Sequence, residues 1–324
     1  PPRHLQDHEL VGGNGVLEMG TFTAILLGTV LGGWCLADLP AQPEALSGVG
    51  VAIGVMGVTA ALGWACAWLV PATGAAAPGL RLNLSLFGAA WRTLRGTRQQ
   101  AEVWPALLGI SWMWAFGAVM FSLFPAIAKD VLHADPGVAA GLLMVSTVGV
   151  AAGALACERL SRGSAGQGPD LGLVGLGGVM MLGFGLDLGR VVGSIAADPT
   201  MHSVQHHAVG DLMNHPLHLW GLVDLAAMSM GVALFSVPWY ARMQAKAPPD
   251  QRARVVGANN LLNALFILVA SLAASALLGQ GWSLAQVMLG MAAAHGLWLL
   301  WAWWRWPALR ADSIAWWRRV RGVC

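Results

Sequence analysis

Residues 104–128 read WPALLGISWMWAFGAVMFSLFPAIA, and this stretch contains no charged side chain. A helix needs about 20 apolar residues to cross the hydrocarbon core of a bilayer, and this stretch is long enough. Because lipid offers the backbone no hydrogen-bond partners, such a segment is stable there only as a helix. The sequence therefore predicts an all-α integral membrane protein with eight transmembrane helices. The seven other predicted segments are approximately 16–37, 49–70, 137–157, 171–193, 218–240, 256–279 and 283–304.

The composition of the whole chain agrees with a membrane protein. Of its 324 residues, 56% are hydrophobic and only 10% are charged, whereas soluble domains carry about 25% charged residues. The net charge of +2 is too small for a nucleic-acid-binding protein. The four cysteines lack the spacing of metal or redox motifs. The sequence shows no phosphate-binding glycine-rich loop, so we expect no cofactor, no metal site and no nucleic-acid partner.

Polar breaks divide the chain into four regions. The break at 72–103 contains the segment Leu84–Gln100, in which Arg92, Arg95 and Arg98 recur at every third residue. This spacing predicts an amphipathic helix on the membrane surface. We expect the Trp-rich and basic end of the chain to anchor at the cytoplasmic surface. The four regions are a first helix pair (1–71), a linker (72–103), a six-helix unit (104–305) and a tail (306–324).

Lysine and arginine predict the orientation, because cytoplasmic loops of membrane proteins are enriched in them. If residues 1–15 lie inside, 16 of the 18 basic residues fall in inner segments. The outer side then holds only Lys129 and Arg190. We therefore expect both ends of the chain to be cytoplasmic.

An internal repeat indicates a two-halved architecture. The segment LVGGNGVLE at 10–18 is similar to VVGANNLLN at 255–263, and six helices separate the two. Parallel repeats of six-helix halves are typical of major facilitator transporters. If the seventh helix corresponds to the eleventh of such a fold, this chain carries helices 5–12. We then expect the first four helices to lie outside this sequence and the linker at 72–103 to join the two halves.

Five segments resemble a known family. They are Glu9–Gly15, Glu18–Phe22, Ile25–Thr29, Arg252–Val255 and Asn259–Phe266. They are similar to the major facilitator domain of bacterial lysophospholipid transporters. The nearest branch is the one in which this domain is fused to, or encoded beside, an acyl-glycerophosphoethanolamine acyltransferase.

A loop motif also carries the resemblance. Residues 153–163, GALACERLSRG, resemble the superfamily's Gly…Asp-Arg…Gly-Arg loop. Glu158 and Arg159 stand in place of Asp-Arg, and Gly153 and Arg162 complete the motif.

The resemblance implies a secondary transporter of the bacterial inner membrane. It would move lysophosphatidylethanolamine-type lipids between leaflets by alternating access. Its implied partners are membrane lipids, a small amphiphilic substrate and an acyltransferase that acts on the same lipid. The alternative is a proton-coupled exporter of drugs or small metabolites. We expect no enzymatic activity, because no His and acidic residue have the spacing of a catalytic pair on the cytoplasmic side.

Polar residues near the start of two helices are candidates for gating. Glu18 lies about one turn inside the first predicted helix. It is either a gating residue or a helix-start carboxylate favoured by the helix dipole. Asn14, Asn259, Asn260 and Asn263 are expected to cap or cross-link helices at the cytoplasmic mouth of the path.

Three further sites lie deeper or on the outer side. Asp224 is the best candidate for a cavity carboxylate, because no basic residue neighbours it in sequence. Asp187 and Arg190 are predicted to form a local ion pair. His295 is a candidate proton relay, with packing as the alternative. The outer-loop pair His202 and His206 has no third ligand at a fixed spacing, so no metal site is predicted.

Overall fold

The computed structural model describes residues 9–36, 48–70, 86–161, 171–201 and 209–321. Every long element within these ranges is a helix, and the ranges contain no β-strand. The all-helical prediction is therefore confirmed for the described part of the chain. Its α-helices are α1 Leu10–Leu36, α2 Gly48–Ala67, α3 Leu86–Arg98, α4 Trp104–Ala126, α5 Pro136–Ser161, α6 Gly172–Ala197, α7 Pro216–Lys246, α8 Arg252–Gly279, α9 Leu284–Arg305 and α10 Pro307–Val320.

Seven of the described helices, α2 and α4 to α9, are long and apolar enough to cross a membrane. Helix α4 continues through a π-helical turn, Ile127–Val131. The chain is therefore a multi-pass membrane protein. Helix α1 covers the first predicted segment but is not one of the seven. The count of eight transmembrane helices accordingly stays a prediction.

Several helices extend beyond their apolar segments and begin at local capping signals. The clearest example is α7, predicted at 218–240 and observed at Pro216–Lys246. His215 caps its start, because its Nδ1 accepts a hydrogen bond from the Leu217 N–H at 3.3 Å. Helix α9 begins with a capping box in which Ser283 and Gln286 each bind the other's backbone N–H.

Helix α7 lies at the centre of the bundle, between α5 and α6. Gly149 and Gly153 of α5 lie directly against the backbone carbonyls of Ala226 and Met230 of α7. Glycine lets two helix backbones approach this closely, which increases van der Waals contact where lipid supplies no hydrophobic driving force. The order of these contacts also shows that α5 and α7 run parallel, so α6 must cross the bundle between them.

Glycines of α6 bring this helix against α7 and α9. A methyl group at Gly231 of α7 would come within 2.9 Å of the Gly177 carbonyl oxygen of α6. On another face of α6, Gly189 packs on Leu289 of α9. Helix α6 therefore packs against both α7 and α9. Helix α4 lies beside them and packs mainly against α8.

Helix α1 packs on α5 and α7, whereas the main contact of α2 is with α1. A Cβ at Gly12 would meet Glu158 at 3.5 Å, and one at Gly15 would meet Ala154 at 3.6 Å. The predicted amphipathic segment forms α3, which contacts α8, and its three predicted arginines are exposed.

The tail differs from the prediction of a surface anchor. Residues 307–320 form α10, which packs against α6 and α9. Trp316 is only 7% exposed and lies in a cluster with Cys157, Leu173, Leu234 and Val237, at the ends of α5, α6 and α7. Trp306 is also buried, whereas Trp301, Trp304 and Trp317 are exposed. Part of this region is therefore core.

Candidate functional site

One seam between α1 and α7 contains a predicted gating residue. Asn14 and Gln244 bind each other through two side-chain hydrogen bonds, with Gln244 Nε2 donating at 2.7 Å and Asn14 Nδ2 donating at 3.3 Å. Asn14 is buried, and Gln244 lies near the end of α7. The pair therefore closes the end of the α1–α7 interface, which the charge bias predicts to be cytoplasmic.

Further from this end of the bundle, one polar contact and then a group of apolar side chains lie between α1, α4 and α7. Trp114 of α4 donates its indole N–H to the Tyr240 hydroxyl of α7 at 2.7 Å. Further in, Met19 and Phe121 pack on a small cluster that includes Val150 and Ala233. Side chains therefore fill the space between α1, α4 and α7 at these two levels.

A second seam, between α4 and α8, contains two of the predicted asparagines. Ser111 Oγ donates to Asn263 Oδ1 at 2.8 Å, and Gln100 Nε2 donates to Gln251 Oε1 at 2.9 Å. Asn259 lies between these bonds on the same face of α8, and it is buried. Asn260 is exposed on another face. The structure thus brings Asn259 and Asn263 to one seam and leaves Asn260 outside it.

The loop motif is only partly visible. Gly153 packs on α7, Glu158 lies beside Gly12 of α1, and Arg159 is exposed. Arg162 lies outside the described residues. The side chain of Glu18 also lies outside the described part of the structure, so its predicted role stays a prediction.

Asp224 is the most unusual polar residue in the membrane-spanning part. Its side chain is 1% exposed, and neither carboxylate oxygen has a hydrogen-bond partner among the described residues. Nearby, Asp187 accepts a hydrogen bond from the indole of Trp220 at 2.9 Å instead of pairing with Arg190. A charged carboxylate without partners is costly to bury, so Asp224 is stable here either protonated or bound to a cation.

His295 is fixed on both sides in the core. Trp112 donates its indole N–H to His295 Nδ1 at 3.0 Å, and Nε2 lies 3.0 Å from the Gly178 carbonyl oxygen. An indole nitrogen can only donate, so Nδ1 must carry no proton and Nε2 must donate. Phe116 and Phe235 cover the ring. This geometry favours the packing interpretation over the proton relay.

An apolar groove lies between α4, α8 and α9 and encloses about 450 Å³. Its floor is Trp112, Ala115 and Val119 of α4. The walls are the apolar side chains of 265–277 on α8 and 287–294 on α9. The groove exists because α8 and α9 make few direct contacts with each other. Sequence reasoning missed it, since apolar residues that line a groove look the same as those that face lipid.

A cluster of ion pairs at the end of the bundle was also missed. Arg242 lies 3.4 Å from Asp312 and 4.0 Å from Glu102, and Lys246 lies 3.4 Å from Glu102. Asp312 of α10 also accepts a hydrogen bond from the Leu171 N–H at the start of α6. Next to this cluster is a cavity of about 250 Å³, which Arg305 lines as well. The sequence indicated only that residues of opposite charge occur in the predicted inner segments, and it did not show which of them would form ion pairs.

No protein-family model, no curated protein and no solved structure matches this chain. The resemblance to lysophospholipid transporters therefore rests on the segments quoted above.

Proposed function

We propose that this chain is part of a major-facilitator-type secondary transporter that moves lysophospholipids between the leaflets of the bacterial inner membrane. The observation that carries the proposal is the pairing of helices within α4–α9, where α4 packs on α8, α5 on α7 and α6 on α9.

This pairing is what two inverted copies of a three-helix unit would produce. Suppose that α4–α6 and α7–α9 are related by a two-fold axis in the membrane plane. The axis converts the α4–α8 pair into the α7–α5 pair and the α6–α9 pair into itself, whereas it maps the close α6–α7 contact onto the much looser α9–α4 contact. Nested inverted repeats of three helices occur in each half of major facilitator transporters. The pattern therefore supports one six-helix half, equivalent to helices 7–12, with α1 and α2 as helices 5 and 6.

The α1 seam supports an interface that opens and closes. Its described contacts include Gly12 beside Glu158, Met19 on the cluster of Val150 and Ala233, and the Asn14–Gln244 amide pair. A side-chain hydrogen bond between membrane helices contributes about 0.6 kcal/mol on average. Separation of α1 from α7 therefore breaks contacts of modest strength, as rocking of two halves requires.

The lipid substrate is supported by the groove and by the scarcity of charge. A volume of about 450 Å³ is within the range of roughly 300–1,000 Å³ that small-molecule sites have. Its lining offers dispersion contacts to a hydrocarbon chain and no ionic partner. An amphiphile with one acyl chain has matching chemistry.

The test uses the complete gene product that contains this chain, expressed in spheroplasts that lack other lysophospholipid uptake. Labelled lysophosphatidylethanolamine is added outside, and its conversion to the diacyl lipid is measured. We expect conversion well above that of spheroplasts without the protein. Glycerophosphoethanolamine, which lacks the acyl chain, is the matched control and should not enter. Equal conversion with and without the protein would overturn the lipid assignment.

Asp224 favours a second candidate function, a proton-coupled exporter of drugs or small metabolites. Proton-coupled transport requires a group in the membrane that binds and releases a proton. Asp224 is buried without a hydrogen-bond partner in the described structure, and protonation would satisfy it. Alkalinisation of the lumen of acid-loaded everted vesicles on substrate addition would support this candidate, because an exporter that carries substrate into such a vesicle moves protons out of it.

A further inference from the structure

We infer that the seam between α4 and α9 is a binding site for a single lysophosphatidylethanolamine molecule, with its acyl chain in the apolar groove and its headgroup in the cavity at the cytoplasmic end. The identity of the lipid rests on the proposed function. The site lies outside the α1–α7 path, so it is an additional lipid site of the same protein.

The groove and the cavity lie along one face of α9. Val287 and Ala294 line the groove, and Arg305 lines the cavity. Val287 and Arg305 are 18 residues apart in sequence, which is five turns of an α-helix and places both on the same side. On α4, Pro105 lines the cavity and Trp112 lines the groove, seven residues apart. The same two helices therefore border both spaces.

Packed tryptophan side chains lie between the two spaces. Trp298 stacks on Trp112 with ring centroids 5.9 Å apart and also packs against Trp301 and Trp306. Trp306 lines the cavity, and Trp112 lines the groove. Flat apolar rings give a hydrocarbon chain continuous contact along this stretch. The distance from Arg305 to Ala294 along α9 is about 16 Å, so only a long acyl chain reaches from the cavity into the groove.

The cavity has charges that match a zwitterionic headgroup. Arg305 has neither an ion-pair nor a hydrogen-bond partner among the described residues, and it is exposed. A guanidinium fits a phosphate through paired hydrogen bonds. Glu102 also lines the cavity and offers a carboxylate to an ammonium group, for which the headgroup would compete with Lys246 at 3.4 Å and Arg242 at 4.0 Å. Phosphoethanolamine carries both complementary charges.

The experiment measures lipid binding in detergent micelles by the complete gene product that contains this chain. The probe is palmitoyl lysophosphatidylethanolamine with a photoreactive group at the end of its chain, read by native mass spectrometry and by mapping of the crosslinks. We expect crosslinks on α8 and α9 between residues 265–277 and 287–294. The hexanoyl analogue should bind at least about tenfold more weakly, because its chain ends before the groove. Crosslinks confined to α1 or α2, or equal binding of both chain lengths, would overturn the inference.

Substitutions test the two ends separately. Arg305→Gln should weaken binding about fivefold to tenfold, while Arg310→Gln, an exposed arginine on α10, should leave it unchanged. Glu102→Gln should weaken binding of the ethanolamine lipid and strengthen that of lysophosphatidylglycerol, which has no ammonium group. Equal effects of Arg305→Gln and Arg310→Gln would remove the headgroup assignment.

The groove is tested by filling it. Ala294→Trp should reduce crosslinking strongly, with thermal unfolding as the check on folding. If this variant does not fold, Gly290→Leu serves instead, because the nearest atom that a Cβ there meets is on Trp282, 3.8 Å away. Gly257→Leu, at a position where a Cβ meets nothing within 4 Å, is the control.

The two proposals can fail separately. Binding at this site with no uptake in spheroplasts would support the binding site and overturn the transport proposal. Uptake without such binding would support the transport proposal and overturn the binding site.

Discussion

The side-chain amides of Asn14 and Gln244 form a reciprocal pair of hydrogen bonds that joins α1 to α7 across 230 residues of sequence. Asn14 is in the first predicted region and Gln244 is in the six-helix unit. The pair is therefore a specific polar link between the parts that we propose to be two halves of a transporter.

A double-mutant cycle measures this link. We expect Asn14→Ala and Gln244→Ala to couple by about 1 kcal/mol, given the usual strength of about 0.6 kcal/mol for each such bond in a membrane. The measurement is the free energy of unfolding in mixed micelles for both single variants and the double variant. Asn260→Ala, at an exposed asparagine of α8, is the control and should change stability by less than about 0.5 kcal/mol. A coupling of zero would mean that the two amides do not hold α1 in place.

The approach of α6 and α7 predicts that Gly231→Leu is strongly destabilising. A Cβ at residue 231 would lie 2.9 Å from both the Gly177 carbonyl oxygen and the Met180 Cβ, and a backbone cannot move aside as a flexible side chain can. We expect a loss of at least about 2 kcal/mol in the free energy of unfolding. Gly257→Leu, where a Cβ meets nothing within 4 Å, should be tolerated. Similar stability of the two variants would contradict the α6–α7 packing.

Asp224→Asn separates the two candidate functions. The amide has nearly the shape of a protonated carboxyl group but cannot release a proton. We therefore expect the variant to keep lysophospholipid uptake within about twofold of the parent, since a factor of two is about 0.4 kcal/mol. Export driven by a pH gradient should be abolished if the second candidate is correct. Asp187→Asn, at a half-buried aspartate bound to Trp220, is the control. Loss of lipid uptake in Asp224→Asn alone would place Asp224 in the lipid path.

Two neighbouring tryptophans provide a matched test of the tail. Trp316 is 7% exposed, and Trp317 is 44% exposed. We expect Trp316→Ala to cost about 3–5 kcal/mol, as is usual when a large aromatic side chain is removed from a core. Trp317→Ala should cost less than about 1 kcal/mol. Chemical unfolding measures both values. Equal losses of stability in the two variants would indicate that the tail is a surface anchor and not part of the core.

The sequence predicted the helices well because the constraint on them is local. Each apolar run must satisfy its own backbone hydrogen bonds in lipid, so length and composition located α2 and α4–α9 without knowledge of their neighbours. Helix ends were less accurate. Helix α7 runs on to Lys246, six residues past its apolar segment, since polar side chains at the interface do not interrupt helical hydrogen bonding.

The pairing of helices and much of the site could not be predicted from one sequence. Lipid and protein are equally apolar, so the pattern does not show whether Gly177 faces α7 or lipid, or whether Trp316 is buried rather than Trp317. Three of the four predicted asparagines, Asn14, Asn259 and Asn263, are in helix seams. Their partners Gln244 and Ser111 were not foreseen, because a hydrogen bond across 152 or 230 residues leaves no local signal.

The burial of Trp316 has a consequence for the order of biosynthesis. The side chains that it covers, among them Cys157, Leu173 and Leu234, belong to α5, α6 and α7, which leave the ribosome well before α10. A nascent chain that has already threaded these three helices still has an unfilled hole at their ends. Quality-control proteases that recognise exposed apolar surface can therefore act on this end until α10 is made.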